Sequence, residues 1–268
     1  MTAAVIAAFQ FPDSARVDQR VPKKLLLENG APTASAKRLI SDAIEDIQWL
    51  AALKPNTIGV PEYRDTQREY LEVAVLAVSL RGATKPASLS RLAELVHRAV
   101  PYPVLLLLAE KRAEGPTLTI SLAHKRWAHN EAGKIVLDGD LVSVSLFQAA
   151  DGTPGDDVEA APDIKRDFMQ SLAIARQPKA SLHALYEGWI VCVQALHAAR
   201  RTGIYQTAAT PEQTAARRQA LIDCQRLEGE ISRLRAEAAK EKQLARQVGL
   251  NLKLKRIQSE LAAAQQQL

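Results

Sequence analysis

The chain has 268 residues, 47% of them hydrophobic and 24% charged, a balance that excludes an extended disordered chain and supplies enough apolar material for a sizeable core. Two cysteines, Cys192 and Cys224, are too few for a disulfide framework and favour a reducing, cytoplasmic setting. The formal charge is +5, and from Arg201 onward twelve Lys/Arg face seven Asp/Glu. The excess therefore belongs to the last quarter, an asymmetry that points to an acidic partner such as nucleic acid.

Met1 to Phe11 is apolar but lacks a basic lead and is too short to span a bilayer, so it reads as a docking helix and not a signal peptide. Residues 21–30 read as a short extended or one-turn element closed by Asn29-Gly30. Thr33 then caps a helix carrying Leu39, Ile40, Ala43, Ile44 and Ile47. Ile47 to Lys54 reads as a strand stopped by Pro55, and Arg68 to Leu80 as a longer strand that is apolar on both faces. Ser88 caps a helix with Leu89, Leu92, Leu95, Val96 and Ala99 along one side, and Val104 to Leu108 is a buried strand.

Strand, helix and strand across 68–108 form a βαβ unit, for which parallel pairing and a right-handed crossover are expected. Thr117–Ala123 and Ile135–Phe147 alternate as antiparallel strands, the second with a break at Asp138-Gly139-Asp140. The fold class is α+β: a mixed sheet of about five strands with packed helices, then a helical region, then a long C-terminal coiled-coil-like helix or helical hairpin. The divisions are a body over 1–149, a linker over 150–162, a helical segment over 163–207 and a basic arm over 208–268.

In the helical segment, Ile164, Phe168, Leu172 and Ala175 share one face. Leu182, Leu185, Tyr186, Trp189, Val193 and Leu196 line the next helix, ended by Gly203. Thr210-Pro211-Glu212-Gln213 opens the arm with a capping box and a proline at the first helical position. Ala220, Cys224, Leu227, Ile231, Leu234 and Ala238 form one apolar run, and Leu250, Leu254, Ile257, Leu261, Ala264 and Leu268 another. The two are out of phase near Gly249, which predicts a kink, a register shift or a hairpin there. A stripe of this length must pack on the body, on its own second half, on a second copy or on another protein. Leu227, Ile231, Leu234, Leu250, Leu254, Ile257 and Leu261 are accordingly the candidate partner-binding seam.

The motifs read against an enzyme. There is no phosphate-cradling glycine loop, Cys-x-x-Cys pair, His-Glu-x-x-His or Gly-x-Ser-x-Gly elbow, so no catalytic residue, cofactor or metal is assigned. Glu72-Val73-Ala74 invites comparison with metal-dependent nucleases, which place an acid and an acid-x-lysine step on adjacent strands, but the lysine is missing. Lys125, Arg126 and Trp127, with His97, Arg98, His124 and His129 nearby, suit phosphate contact and base stacking. The plainer reading, and the preferred one, is that Trp127 closes one end of the core while the basic groups are solvated and the histidines cap or pair locally. Arg217, Arg218, Arg226, Arg233, Arg235, Lys253, Lys255 and Arg256 extend the nucleic-acid reading along the arm, and they are also what flanks an ordinary coiled-coil seam.

The strings Val21-Pro22-Lys23-Lys24-Leu25-Leu26, Gln48-Trp49-Leu50-Ala51-Ala52-Leu53-Lys54-Pro55, His97-Arg98-Ala99-Val100-Pro101-Tyr102-Pro103 and Ala123-His124-Lys125-Arg126-Trp127 resemble a bacterial family with a domain of unknown function. The ending Arg246-Gln247-Val248-Gly249-Leu250-Asn251-Leu252-Lys253-Leu254-Lys255-Arg256 is similar to that family's ending. The resemblance implies a genetic setting beside helicases and DNA methyltransferases of restriction-like or antiviral defence islands. The expected function is a non-enzymatic accessory subunit of such a system. Its arm would bind a protein partner, a helicase or methyltransferase by the resemblance, or a second copy, with no membrane involved. A nucleic-acid-binding module and a divergent metal-dependent nuclease are the alternatives.

Overall fold

The most apolar runs of the sequence, Val73–Leu80 and the stretch from Val104, lie at the middle of a sheet, where both faces are covered. The strands are β1 (Arg16–Arg20), β2 (Ile44–Leu53), β3 (Tyr63–Arg64), β4 (Glu69–Tyr70), β5 (Val73–Leu80), β6 (Val104–Arg112), β7 (Gly115–Trp127) and β8 (Ile135–Phe147). The helices are α1 (Thr2–Phe9), α2 (Lys23–Asn29), α3 (Ala34–Ala43), α4 (Pro55–Ile58), α5 (Pro86–Ala99), α6 (Pro162–Ser171), α7 (Leu182–Thr202), α8 (Pro211–Lys240) and α9 (Leu244–Gln265). The computed structural model describes residues 2–113, 115–128, 134–147 and 161–268. The expected linker over 150–162 and the side chain of His129 fall largely or wholly outside the described residues.

Six strands in the order β1-β2-β5-β6-β7-β8 form the main sheet, and β3 and β4 pair as a separate short ribbon. Only β5 and β6 run parallel, joined through α5; every other pairing in the sheet is antiparallel. The α+β class and the mixed sheet therefore hold, with six strands where five were expected. On one face Leu76, Val78 and Leu80 of β5 and Val104, Leu106 and Leu108 of β6 meet Leu92, Leu95 and Val96 of α5 and Ile40 of α3. The alternate residues Val75, Leu105 and Leu107 are also fully buried, so these strands show no polar alternation.

Two compact units are distinguished: Met1–Glu159 with Lys165–Val193, and Ala160–Ile164 with Gln194–Leu268. The first contains the sheet. Within it, Phe9 and Phe11 meet the indole of Trp189 edge-on at 5.7 and 6.3 Å, and the indole N–H donates to Leu172 O at 2.9 Å.

Several boundaries differ from the sequence reading. Thr33 caps α3, its hydroxyl accepting from Ala36 N at 3.2 Å, but the helix stops at Ala43 and Ile44 opens β2. Ile40, Ile44 and Ile47 fit a helical spacing, yet Ile44 and Ile47 pair with β5. That spacing is helical and not period-two; an extra residue between Ile44 and Asp46, opposite Leu80 and Ser79, is a bulge that brings Ile44 and Ile47 onto one face of the strand. The helix read as capped by Ser88 starts three residues earlier, with Lys85 at the cap position, Pro86 at the first helical position and no side-chain cap; proline fixes the required φ and has no amide to leave unpaired. The strand read over 68–80 is interrupted after Tyr70, because Glu69 and Tyr70 turn to pair with β3. The polar edge strand Arg16–Arg20 is new. β8 continues through Gly139, whose φ is +81°, and the irregularity expected there is absorbed as a bulge opposite Leu122 and His124.

Candidate functional site

The arm forms an antiparallel pair of helices. α8 has 30 residues and α9 has 22. Thr210 Oγ1 accepts from Gln213 N at 3.2 Å, while Gln213 Oε1 accepts from Ala209 N at 2.9 Å. The chain reverses at Glu241–Gln243, where Glu241 leaves the helical region at φ −73°, ψ 127° and its carboxylate accepts from Gln243 N at 2.8 Å. Gly249 lies inside α9 and makes no break. The two out-of-phase apolar runs are thus the two sides of one interface. Leu227, Ile231, Leu234 and Ile257 are buried in it, with Leu250, Leu254 and Leu261 packed against them. Lys253 pairs with Glu230 at 3.3 Å and Arg217 Nε donates to Leu268 O at 3.0 Å, which fixes the register.

A buried aliphatic side chain contributes about 1.5–3 kcal/mol, and the candidate seam spends that energy within the arm. A second stripe remains outside. Leu244, Val248 and Leu252, four residues apart, are 75%, 50% and 65% exposed. At 100° per residue they occupy the side of α9 away from Leu250, Leu254 and Leu261. The inner stripe alone continues the candidate seam of α8, although the outer one is as regularly spaced.

The arm's basic side chains do not form one strip. Arg226 lies 3.6 Å from Asp223, Arg233 4.0 Å from Glu230 and Arg256 2.9 Å from Glu260. Arg217 is turned to main-chain carbonyls. Arg218, Arg235 and Lys255 are exposed.

In the unit that contains the sheet, the residues Lys125, Arg126 and Trp127 lie on β7, where it parts from β6. Their ladder is regular as far as the Leu106–Ser121 pair and then stops. Tyr186 of α7 fills the opening: its hydroxyl donates to Val104 O at 2.7 Å and accepts from Ala123 N at 2.9 Å. Burial raises this phenol well above its ordinary pKa, so it serves as a neutral bridge.

Alternation on β7 then divides the expected patch. His124 faces Tyr70 and Glu187, with its Nδ1 2.5 Å from the Tyr70 hydroxyl and its Nε2 2.5 Å from a Glu187 oxygen. The carboxylate can only accept, so Nε2 carries the proton and Nδ1 accepts from Tyr70 when the ring is neutral. The His183 ring stacks on His124 at 5.2 Å, and burial followed by the neighbouring His124 lowers its pKa. Tyr70 is fully buried and burial raises its pKa. The Tyr–His–Glu chain runs from the buried Tyr70 to Glu187, whose side chain is 29% exposed, and ties α7 to the sheet; His183 and Glu187 lie four residues apart on α7, a spacing that sets them on one helix face, but nothing in the sequence joins that face to Tyr70 or His124.

Lys125 faces α5. It is only 3% exposed, and its Nζ donates to Val100 O and Tyr102 O, two carbonyls just beyond the end of α5. Burial brings its pKa down to about 7. His97 is fully buried beside it, Nε2 3.0 Å from Ser121 Oγ, with its pKa brought down to about 3 by burial and then by Lys125. Arg126 pairs with Asp138 at 3.5 Å, and Trp127 N donates to Gln67 O at 2.7 Å. Lys125 and His97 are brought together, but inward, and Lys125 offers no exposed charge to a phosphate.

Glu72 pairs with Lys54 at 3.0 Å and keeps one buried oxygen without a partner. Among the described residues no group of three or more His, Cys, Asp or Glu is placed to hold a metal ion, and no helix is long and apolar enough to cross a membrane. No curated protein and no solved structure matches the chain. A family model does match, across sheet, α7 and arm together: Domain of unknown function (DUF4391) covers residues 9–261, and the chain belongs to that family.

Proposed function

We propose that the protein is a non-enzymatic accessory subunit whose arm docks a larger partner through the outer stripe of α9. The observation that carries this reading is a helix apolar on two opposite sides with only one side covered. An amphipathic helix needs a single stripe to pack; Leu244, Val248 and Leu252 are superfluous to the hairpin. Arg246, Lys253, Lys255 and Arg256 against Glu260 make α9 basic, so two copies would bring like charges together. A partner with an apolar groove rimmed by Asp and Glu fits better. The setting implied by the resemblance, beside helicases and DNA methyltransferases of bacterial defence islands, is where such a partner is to be sought.

Burying three half-exposed aliphatic side chains supplies about 3–5 kcal/mol, or roughly a factor of a hundred to a few thousand in affinity. The test is co-purification of the tagged full-length protein with the products of adjacent genes, comparing wild type with Leu244→Ser/Leu252→Ser at equal helicity. Retention should collapse in the variant, and undiminished retention would sink the proposal. Nucleic-acid binding by the same arm is the second reading, favoured by its excess of basic residues. It predicts DNA or RNA affinity that falls steeply with salt and is insensitive to the two serine substitutions.

A further inference from the structure

Beside Lys125 a cleft of about 340 Å³ opens between the end of α5 and the start of β8, with Asn29 and Arg98 among its polar residues and Ile135, Val136 and Leu137 among its apolar ones. This volume lies at the small end of ligand sites. A buried ammonium is ordinarily matched by a carboxylate, but among the described residues none pairs with Lys125, whose recorded partners are two main-chain carbonyls. An ammonium has three N–H groups, so one is left over. His97, which also lines the cleft, is fully buried with its Nδ1 lacking any partner.

We propose that this cleft binds a small monocarboxylate with an apolar body, its carboxylate completing the Lys125 ammonium and its body lying against Ile135, Val136 and Leu137. The cleft supplies one cationic point deep inside and aliphatic walls, which suits one charged head on a ring or branched chain better than a phosphate, whose several charges would need more donors. The charged or titratable groups around Lys125 are few. α5 contributes His97, neutral above about pH 3, and Arg98, held by Glu94 at 2.8 Å. The lining residues from α2 and β8 carry no charge.

Because the free Lys125 titrates near pH 7, binding above that pH requires the uptake of a proton. Affinity should then weaken about tenfold for each unit well above pH 7 and be flat between roughly pH 5 and 6.5. Calorimetric titration of the full-length protein with benzoate and isovalerate, against benzamide and inorganic phosphate, tests this. Saturable binding of a carboxylate is expected, with that pH profile, with no binding of benzamide, and with loss in both Lys125→Met and Leu137→Trp, the latter filling the cleft while sparing the lysine. The proposal is overturned if neither carboxylate binds at about 10 mM, if benzamide or phosphate binds as well, if affinity is independent of pH, or if Leu137→Trp binds like wild type.

Discussion

Replacing Tyr186 by Phe removes one oxygen and leaves the ring in place. That oxygen donates to Val104 O at 2.7 Å and accepts from Ala123 N at 2.9 Å, with Ala123 O a further 3.2 Å contact. Tyr186, Val104 and Ala123 are all within 1% of full burial, so water cannot take the hydroxyl's place without the strands moving apart. An orphaned buried donor or acceptor costs about 1–3 kcal/mol, and two orphans with partial relaxation give an expected loss of about 2–4 kcal/mol. Urea unfolding followed by near-ultraviolet circular dichroism reads the total, with an unchanged denaturant slope showing that the folded state keeps its compactness. Amide exchange adds the location: Ala123 N–H should lose protection, while Ile120, still in the β6–β7 ladder, should lose no more than the global change. A loss below about 0.5 kcal/mol, or exchange at Ala123 no faster than at Ile120, would refute the bridge.

Two glycines give opposite signs. A Cβ on Gly30 would lie 2.5 Å from Leu95 O and 2.7 Å from the Ala99 side chain, whereas one on Gly249 meets nothing within 4 Å. Gly30→Ala should lower stability by about 1–3 kcal/mol and Gly249→Ala should raise the arm's by about 0.5–1 kcal/mol, both read from thermal melts. His97 falls from an ordinary 6.5 to about 3, so between those values the unfolded chain holds the extra proton and stability declines as pH falls from 6.5. His97→Gln should flatten that decline in acid denaturation curves. Lys125, lowered from 10.5 to about 7, works in a different window: stability should rise with pH between 7 and 10.5, and Lys125→Met should remove the rise.

The central strands were legible because burial on both faces leaves a continuous apolar run, as at Val104–Leu108. The cap at Thr33 was legible because its chemistry is local. The beginning of β2 was not, since Ile40, Ile44 and Ile47 follow the helical period and only a bulge in the pairing with β5 lets Ile44 and Ile47 share a strand face. In the arm the apolar positions were readable and the place of reversal was not: Glu241–Gln243 has none of the glycine or proline that usually marks a turn. The division of Lys125 from His124 follows from strand alternation alone, but what each then meets depends on α5 and α7, dozens of residues away. Tyr186 gives no sign in the sequence beyond membership of an apolar helical face. Its polar tip acts between two strands more than sixty positions earlier.

The turn at Glu241–Gln243 also separates two very different assembly problems in one chain. From that turn the hairpin can close like a zip, each new contact between α8 and α9 enclosing only a little more chain than the last, so the entropy lost at each step is small. The parallel β5–β6 pair has no such gradual route, because nothing is gained until α5 has been spanned. The arm should therefore form in microseconds and the sheet far more slowly. A full-length chain refolding from denaturant would pass through a period in which the helical hairpin is already closed while the sheet's hydrophobic strands are still unpaired.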